Sequence, residues 1–447
     1  MGTASVTTVV ERLRAELMAR EPGKDAASQG VDSRNLREYN HLLVLNSVRL
    51  QGPLARVSIA QQTGLSKTTV STIIDQLLQN GLVSEGDFID AAATGGRRPI
   101  LVHFNNDTAL IMGIEITYST LTLITTNLGG EVRSIYTEPF DFTSTPVSSL
   151  AMLGAAVRIF MAKSNLTWEH ILGIGVGIGA PLDSRTHTLM YPPGEYSWDG
   201  IDIVASLMKQ FQVPVYVDNN ANLAALSEAR YGVAKDYSDF AYISIGQGIG
   251  GGLIHDHQIY HGMLGGAGEI GHFHIAESGP QCICGKRGCL ETLANNAAIV
   301  EDASLGRSLA RVAPRARVAP QLADRDDIDI NDVLHAADAG DLGARLALQS
   351  AGRAIGTAVG ALITLLNPEV IILDGATVRM GRYLLDAVQE EAARQAMPAN
   401  WAATHIITGQ LGDLAVPLGA ATLVIDAAFA LASVISDYPG TVNGALG

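Results

Sequence analysis

GEIGHFHIAESGPQCICGKRGCLE, residues 268–291, brings every cysteine of the chain close to a histidine within one short segment. His272, Cys282, Cys284 and Cys289 offer one imidazole and three thiols, which is the ligand set of a closed tetrahedral zinc site. The alternative is a set of free buried cysteines beside a core histidine, and the convergence of all three cysteines on one turn argues against it. Because four ligands leave no position for a metal-bound water, the predicted zinc is structural and not hydrolytic.

The composition is typical of a folded protein from a reducing compartment. The 447 residues are 47% hydrophobic and 17% charged, which excludes a disordered chain and is enough for about two or three domains. Three closely spaced cysteines cannot form the disulfide framework of a secreted protein. We therefore expect a cytoplasmic protein.

The sequence predicts no targeting or membrane-spanning segment. Residues 1–31 lack the apolar run of a signal peptide and are expected to form a flexible tail. Two apolar stretches, 354–373 and 417–436, are interrupted by polar residues such as Asn367 and Asp426. They are predicted to be buried elements of a soluble domain, so no membrane partner is expected.

A helix-turn-helix is predicted near the N-terminus. Segment 34–50 has apolar residues at helical spacing and ends at Gly52-Pro53. A short helix at 57–62, a glycine-containing turn at 63–65 and a helix from Ser66 to Gly81 follow. Polar residues at the start of the last helix are expected to contact phosphates and base edges. They are Ser66, Lys67, Thr68, Thr69 and Ser71.

A wing is predicted directly after these helices. Two strands, at 82–83 and 100–102, flank a glycine-rich loop whose Arg97 and Arg98 can enter a minor groove or bind phosphate. The alternative is an ordinary three-helix module with a solvated arginine turn, but the order of the elements favours a winged helix-turn-helix over 32–104. This segment has seven basic and six acidic side chains within a chain of net charge −15. DNA contact is therefore expected from this segment and not from the acidic remainder.

From about residue 109 onward, strand-like segments alternate with helices, which predicts an α/β body. We expect a hairpin from 111–116 and 121–125, buried strands at 173–178, 213–217 and 241–245, and a long helix at 342–367. The glycines of SIGQGIGGG, residues 244–252, suit either a phosphate-binding loop or a tight hairpin. The sequence leaves these two alternatives open.

The segment from Gly268 to Glu291, with its CxCGxxGCxE pattern, resembles the signature of the ROK family, whose name stands for repressors, open reading frames and sugar kinases. Together with the winged helix it is similar to the transcriptional-repressor branch of that family, over residues 34 to 435. The resemblance implies a two-lobed actin-like ATPase (ribonuclease H-like) body over 105–447, with the zinc loop at 272–289.

The resemblance also implies which residues bind sugar. Asn219, Glu269, His272 and Glu291 match family residues that hydrogen-bond sugar hydroxyls, and Asn220 is added because an amide can do the same. His272 would bind zinc through one ring nitrogen and donate to a sugar oxygen through the other. Trp198 is expected either to stack on the apolar face of the sugar or to lie at the edge of the core.

Positions that the resemblance assigns to phosphoryl transfer depart from the kinase pattern. Asn220 replaces the aspartate that deprotonates the sugar, and an amide cannot accept that proton. Asp218 lies two residues earlier and is expected to point elsewhere. Thr117 replaces the glycine of the first phosphate motif, Gln247 replaces a threonine of the second motif, and Ala376 replaces a glycine of the third motif.

The sequence therefore predicts a non-enzymatic DNA-binding regulator, a repressor of carbohydrate genes. Its expected partners are double-stranded operator DNA, a sugar or sugar-derivative effector and a second copy of itself, in a homodimer or tetramer. The alternatives are an active ATP-dependent sugar kinase with a DNA-binding appendage, and a constitutive DNA-binding protein with a vestigial pocket.

Overall fold

Three sheets and their helices make up the part of the chain that the computed structural model describes. The described residues are 6–19, 33–88, 99–190, 198–312, 328–375, 377–378 and 381–430. One sheet belongs to the N-terminal module, and each of the other two forms the centre of one lobe of the body.

The N-terminal module has the predicted winged helix-turn-helix elements. Its helices are α2 (Ser33–Gln51), α3 (Arg56–Thr63) and α4 (Lys67–Gln79), and its strands are β1 (Leu54–Ala55), β2 (Val83–Phe88) and β3 (Ile100–Phe104). Gly64, at φ 70°, makes the left-handed turn between α3 and α4, a conformation that glycine adopts without strain. Ser66 begins α4 by accepting a hydrogen bond from the Thr69 backbone N–H at 3.0 Å.

One arginine fixes α4 against the sheet of the N-terminal module. Arg56, at the start of α3, lies 2.7 Å from Asp75 on α4 and 2.8 Å from Glu85 on β2. Its guanidinium also donates to the backbone carbonyl of Ser71. Arg97 and Arg98, the predicted wing arginines, lie outside the described residues.

Residues 6–19 form a helix, α1 (Val6–Ala19), where the sequence predicts a flexible tail. Val10 and Leu17 are buried, and Arg14 donates to the backbone carbonyls of Trp168 and Ile171. The expectation of a loose tail is wrong for these residues, because Val10, Leu13 and Leu17 recur at helical spacing and form a stripe that packs on the body.

The first lobe is built on a five-stranded sheet in the order β6-β5-β4-β7-β8. The strands are β4 (Leu110–Ile116), β5 (Thr120–Asn127), β6 (Val132–Pro139), β7 (Ile171–Ile178) and β8 (Val215–Asn219). β4, β5 and β6 are antiparallel, whereas β7 and β8 run parallel to β4. Helices α5 (Pro146–Lys163) and α6 (Ile203–Phe211) contribute to an apolar core with this sheet.

The second lobe repeats the same strand arrangement in the order β11-β10-β9-β12-β13. Its strands are β9 (Phe240–Ile245), β10 (Ile249–His255), β11 (Gln258–Ile259), β12 (Val370–Asp374) and β13 (His405–Thr408). Its helices are α8 (Leu290–Ala294), α9 (Asn296–Val312), α10 (Ile330–Asp338), α11 (Leu342–Leu366), α12 (Arg382–Gln395) and α13 (Pro398–Ala403). This duplication confirms the predicted two-lobed α/β body.

Two helices join the lobes. α7 (Asn220–Tyr231) follows β8 and packs on β9 and β10 of the other lobe, and α14 (Ala415–Phe429) returns to pack on β4 and β7. The approach of α14 is close, since a Cβ at Gly175 would lie 1.8 Å from the Ala420 carbonyl oxygen. The joining helices therefore sit directly against both sheets.

Three helical segments are long and apolar enough to cross a membrane, judged by length and composition alone: Pro146–Lys163, Leu342–Leu366 and Gly412–Phe429. In this structure each buries apolar residues inside the protein. Phe160 of α5 lies in the first-lobe core, Ile355 of α11 in the second-lobe core, and Val424 of α14 against the first-lobe sheet.

Candidate functional site

A cavity of about 350 Å³ opens between the two lobes. Its wall comes from the β4–β5 hairpin, the N-terminus of α7, the β9–β10 hairpin and the segment around Glu269 and Glu291. The volume lies at the lower end of the range for small-molecule sites. The cavity therefore suits a small ligand held by both lobes.

The predicted metal ligands lie together beside this cavity. Nδ1 of His272 is 3.3 Å from Sγ of Cys282, and Sγ of Cys284 is 3.6 Å from Sγ of Cys289. All four donor atoms lie within 4.8 Å of one another. Ligand atoms around a tetrahedral zinc with 2.3 Å Zn–S bonds are spaced by about 3.8 Å. The donor set and its spacing fit a metal ion.

The turn that carries the cysteines depends on glycine. Gly288 has φ 67°, and a Cβ there would lie 1.9 Å from the Ala276 carbonyl oxygen. The chain reverses at this point, and the backbone N–H of Cys282 pairs with the carbonyl of Lys286. This reversal brings Cys289 back to the sulfur atoms of Cys282 and Cys284.

His272 belongs to both the cysteine cluster and the cavity wall. Its Nδ1 faces Cys282, and its Nε2 lies 3.9 Å from Oε2 of Glu269. A histidine that ligates a metal through Nδ1 carries its proton on Nε2. With a metal bound, His272 would therefore present an N–H donor on the side of Glu269.

Glu269 and Glu291 place two carboxyl groups in the cavity wall. Burial, together with the nearby charge of Glu291, raises the pKa of Glu269 to about 7. Oε2 of Glu291 accepts a hydrogen bond from the Ile249 backbone N–H at 3.1 Å. A carboxylate has further lone pairs, so both groups can accept hydrogen bonds from ligand hydroxyls.

Asn219 and Asn220 line the cavity at the start of α7, and the protein itself uses both amides. Oδ1 of Asn219 caps the helix by accepting from the Ala221 backbone N–H at 2.8 Å. Nδ2 of Asn220 donates to the Ile116 carbonyl at 3.1 Å. Its Oδ1 is buried and has no hydrogen-bond partner among the described residues. An aspartate carboxylate in the place of the Asn220 amide would put an oxygen atom against the Ile116 carbonyl oxygen, with no hydrogen-bond donor between the two.

Asp218 is held away from the cavity by its own partners. Its Oδ2 lies 2.7 Å from Nε2 of His261, and its Oδ1 accepts from Nδ2 of Asn222 at 2.8 Å. The hydrogen bond to Asp218 raises the pKa of His261. Asp218 is thus engaged elsewhere, as the sequence predicts.

The segment 244–252 forms a tight hairpin, as one of the two alternatives predicts, and its turn also lines the cavity. Gly250 pairs with Ser244 and Gly252 with Tyr242 across β9 and β10. A Cβ at Gly252 would lie 2.4 Å from the Ala221 carbonyl oxygen, so this glycine admits α7.

The two loops that match the first and second phosphate motifs of the family contact each other. Nε2 of Gln247 donates to Oγ of Ser119 at 2.9 Å, which joins the β9–β10 turn of one lobe to the β4–β5 turn of the other. Glu115, at the position of the first motif's aspartate, also lines the cavity. Burial and the charge of Asp413 raise its pKa to about 7.

Trp198 lies in the core and does not line the cavity. It is 1% exposed, and its ring centroid is 5.1 Å from that of Phe142. The expectation that it stacks on a sugar is therefore wrong. Tyr118 and Ile283 line the cavity instead, and sequence reasoning missed both. The signal for Tyr118 is its position in the four-residue interval, 117–120, between the two predicted strands.

The predicted DNA-contacting residues lie at the start of α4. Ser66, Lys67 and Thr68 are exposed, whereas Thr69 and Ser71 are half-buried. Oγ of Ser66 is also 2.8 Å from Oγ1 of Thr69, so these two hydroxyls serve the helix cap as well as the surface.

The end of α14 joins the body to the N-terminal module. The ring of Phe429 lies edge-on to the ring of Phe104, with centroids 5.8 Å apart. The Arg49 guanidinium lies 5.0 Å from the centroid of the Phe429 ring. Three residues before it, Asp426 accepts from Arg230 of α7 at 2.8 Å. Because α7 begins in the cavity wall, one helix connects the cavity to this junction.

Comparison with known proteins adds whole-chain evidence. Residues 111–427 match the model of the ROK family. The chain is 30% identical over 390 residues to the xylose repressor of Caldicellulosiruptor bescii. The matched region covers 87% of this chain and 96% of that protein.

Two solved structures share the fold. A ROK family transcriptional regulator, a homologue of the Escherichia coli MLC protein, covers 90% of this chain and 100% of its own, with a TM-score of 0.76 at 24% identity. A ROK family glucokinase from Streptomyces griseus, in complex with glucose and AMPPNP, covers 70% of this chain and 99% of its own. Its TM-score is 0.62 at 25% identity.

Proposed function

The chain belongs to the ROK family, and from this premise we propose that it is a sugar-responsive transcriptional repressor. Residues 32–104 would bind operator DNA, and residues 105–447 would sense the effector. The similarity to a xylose repressor over 87% of the chain supports this function. The observation that carries this proposal is the chemistry of the cavity wall. The wall contains carboxyl groups and an imidazole, which can bind sugar hydroxyls. At the position where a kinase needs a base it has an amide, Asn220, which is hydrogen-bonded to the Ile116 carbonyl.

In this proposal the effector is a sugar or a sugar derivative. Glu269 and Glu291 would accept hydrogen bonds from its hydroxyls, and Nε2–H of His272 would donate to an oxygen. Asn219 and Asn220 would bind the sugar through the hydrogen-bonding capacity of their amides that the contacts to Ala221 and Ile116 do not use. Leaving buried carboxylates without donors is costly, so this wall favours a polyhydroxylated ligand over an apolar one.

We assign a structural zinc to His272, Cys282, Cys284 and Cys289. The four donor atoms within 4.8 Å support this choice. The ion would cross-link the loop and supply no catalytic water, since the protein fills all four positions. The ion and the three cysteines would thereby fix the orientation of His272 toward Glu269.

The proposed DNA contacts are Ser66, Lys67, Thr68, Thr69 and Ser71 on α4, with Arg97 and Arg98 on the wing. A single short recognition helix rarely reaches enough specificity alone, so we propose a homodimer or tetramer in the cytoplasm. The connection of α7 to Asp426 and of α14 to Arg49 supports a coupling between effector and operator. Such coupling is reciprocal, because each ligand then shifts the affinity for the other.

The test is operator binding with and without sugar. A thermal-shift screen with D-xylose, D-glucose and N-acetyl-D-glucosamine, as free sugars and phosphates, identifies ligands, since saturation at 100 times Kd adds about 2.7 kcal/mol of stability. Fluorescence anisotropy with a DNA fragment selected by the protein then measures operator affinity. We expect at least one sugar to change that affinity about fivefold or more. Equal affinity with every sugar would reject the sensing function.

An active sugar kinase is the second candidate, and the similarity to a glucokinase favours it. ADP release coupled to a sugar acceptor separates the two functions. Turnover on the order of 1 s⁻¹, typical of working enzymes, would establish the kinase. The Gln247–Ser119 contact and Asn220 lead us to expect none.

A further inference from the structure

Among the described residues that line the cavity, Tyr118 is the one with a phenyl or indole ring, and it comes from the lobe opposite Glu269, His272 and Glu291. Trp198 is excluded from this role by its burial. Tyr118 is 37% exposed, so its ring is accessible to a ligand. Ile283, between two of the cysteines, is 53% exposed and lines the same cavity from the other lobe.

The backbone holds Tyr118 in a defined place. It occupies the first position of a two-residue turn that closes with a hydrogen bond from the Thr117 N–H to the Thr120 carbonyl at 2.9 Å. Oγ1 of Thr117 also accepts from the Thr120 N–H at 2.9 Å. Ser119, the second residue of the turn, is tied to Gln247 of the other lobe. The turn is therefore anchored on both sides, and its backbone places Tyr118 in the cavity wall.

The polar end of Tyr118 faces an acidic environment. Burial and the charges of Glu291 and Glu269 raise its pKa, so the hydroxyl stays protonated and can donate a hydrogen bond. Within the described part of the chain that hydroxyl has no hydrogen-bond partner. A hydroxyl donor and two carboxyl acceptors in one cavity wall suit a ligand that offers both donors and acceptors, as a sugar does.

We propose that Tyr118 is a specificity-determining residue that covers the bound sugar, its ring packing on the apolar C–H face and its hydroxyl donating to a sugar oxygen. The inference deepens the proposed sugar-sensing function and rests on it. Tyr118 stands in the motif that serves phosphate in the family's kinases, so the same turn that is unsuited to a phosphoryl donor closes the effector site. Ile283 would cover the opposite side of the cavity mouth.

The test compares sugar affinity by isothermal titration calorimetry in Tyr118→Ala, Tyr118→Phe and Tyr260→Ala. Tyr260 is 53% exposed and lies outside the cavity, which makes it a matched control. The probes are D-xylose, D-glucose and N-acetyl-D-glucosamine. We expect Tyr118→Ala to raise Kd about tenfold for the sugar that the native chain binds most tightly, Tyr118→Phe to raise it about threefold, and Tyr260→Ala to leave it unchanged.

The outcomes separate the inference from the function. Thermal unfolding of the sugar-free variants should match the native chain, because Tyr118 belongs to none of the apolar core clusters of the described residues. A native-like Kd in Tyr118→Ala, while the native chain binds sugar, overturns the role of Tyr118 and leaves the sensing function standing. No heat from any sugar with the native chain overturns both.

Discussion

Asn46 and Phe429 are joined by a hydrogen bond from the Asn46 side-chain Nδ2 to the Phe429 backbone carbonyl at 2.9 Å, although 383 positions separate them in the sequence. Asn46 is buried on α2 of the N-terminal module, and Phe429 ends the last described helix of the body. Phe429 belongs to an apolar cluster that runs from the module into the first-lobe sheet, with Val44 and Ile74 at one side and Ile111 and Leu172 at the other. The module and the body therefore share a core.

Asn46→Ala is expected to weaken this junction. It leaves the Phe429 carbonyl without its donor in a buried place, which costs about 1–3 kcal/mol. The free energy of unfolding from urea denaturation measures the loss, and operator affinity with and without sugar measures the coupling. Ser47→Ala on the same helix removes only the surface hydrogen bond to Gln62 and is the control. Equal stability and equal coupling in the two variants would show that the junction carries no coupling.

His272→Ala is expected to abolish metal binding, because it removes one of four ligands. The purified native chain should contain about one zinc ion by mass spectrometry, and the variant should lose it together with several kcal/mol of stability. His274→Ala is the control, since His274 lies two residues away, is exposed and, among the described residues, uses its ring for one hydrogen bond with the Arg287 carbonyl. Native zinc content in His272→Ala would refute the assigned ligand set.

Asn220→Asp is expected to create no kinase. A general base contributes about 10²- to 10⁴-fold, yet the Ile116 carbonyl faces this position and Gln247 still joins Ser119 across the phosphate loops. We expect weaker sugar binding and no ADP release above the rate without sugar. Sugar phosphate formed by the variant would show that the phosphate loops are competent and that the amide alone prevents catalysis.

Glu115→Gln is expected to change the pH dependence of stability. Burial raises the pKa of Glu115 in the folded chain from an ordinary 4.5 to about 7, so the folded state holds the proton more tightly than the unfolded chain. The stabilisation is complete below about pH 4.5 and is lost as pH rises through about 7, with a limit of about 3 kcal/mol. Thermal unfolding from pH 5 to 8 should therefore decline more in the native chain than in Glu115→Gln. Glu169→Gln, at an exposed position, should follow the native curve.

Lys67→Ala is expected to weaken operator binding without affecting the fold. Lys67 is exposed at the start of α4, and removal of one phosphate contact lowers the salt dependence of the association constant by about one unit of slope. Anisotropy titrations at several salt concentrations measure it. Gln79→Ala, exposed at the other end of the same helix, is the control. An unchanged salt slope in Lys67→Ala would place the DNA contacts elsewhere.

Local sequence determined the elements and the metal cluster. The cap at Ser66, the left-handed Gly64 and the apolar spacing of α4 specify a helix-turn-helix within about twenty residues, because these signals act over one or two helical turns. The cysteines and His272 were identified because their chemistry and spacing are rare in combination.

The tertiary structure alone decided which side chains meet across long separations. Trp198 and Tyr118 are both aromatic residues beside turns, and only the packing of the first lobe buries one and leaves the other in the cavity. The orientation of Asn220 depends on a carbonyl 104 positions earlier, and the junction at Phe429 depends on Asn46. Such contacts are fixed when two lobes and a module bury their apolar faces together, and no local pattern of residues records the outcome.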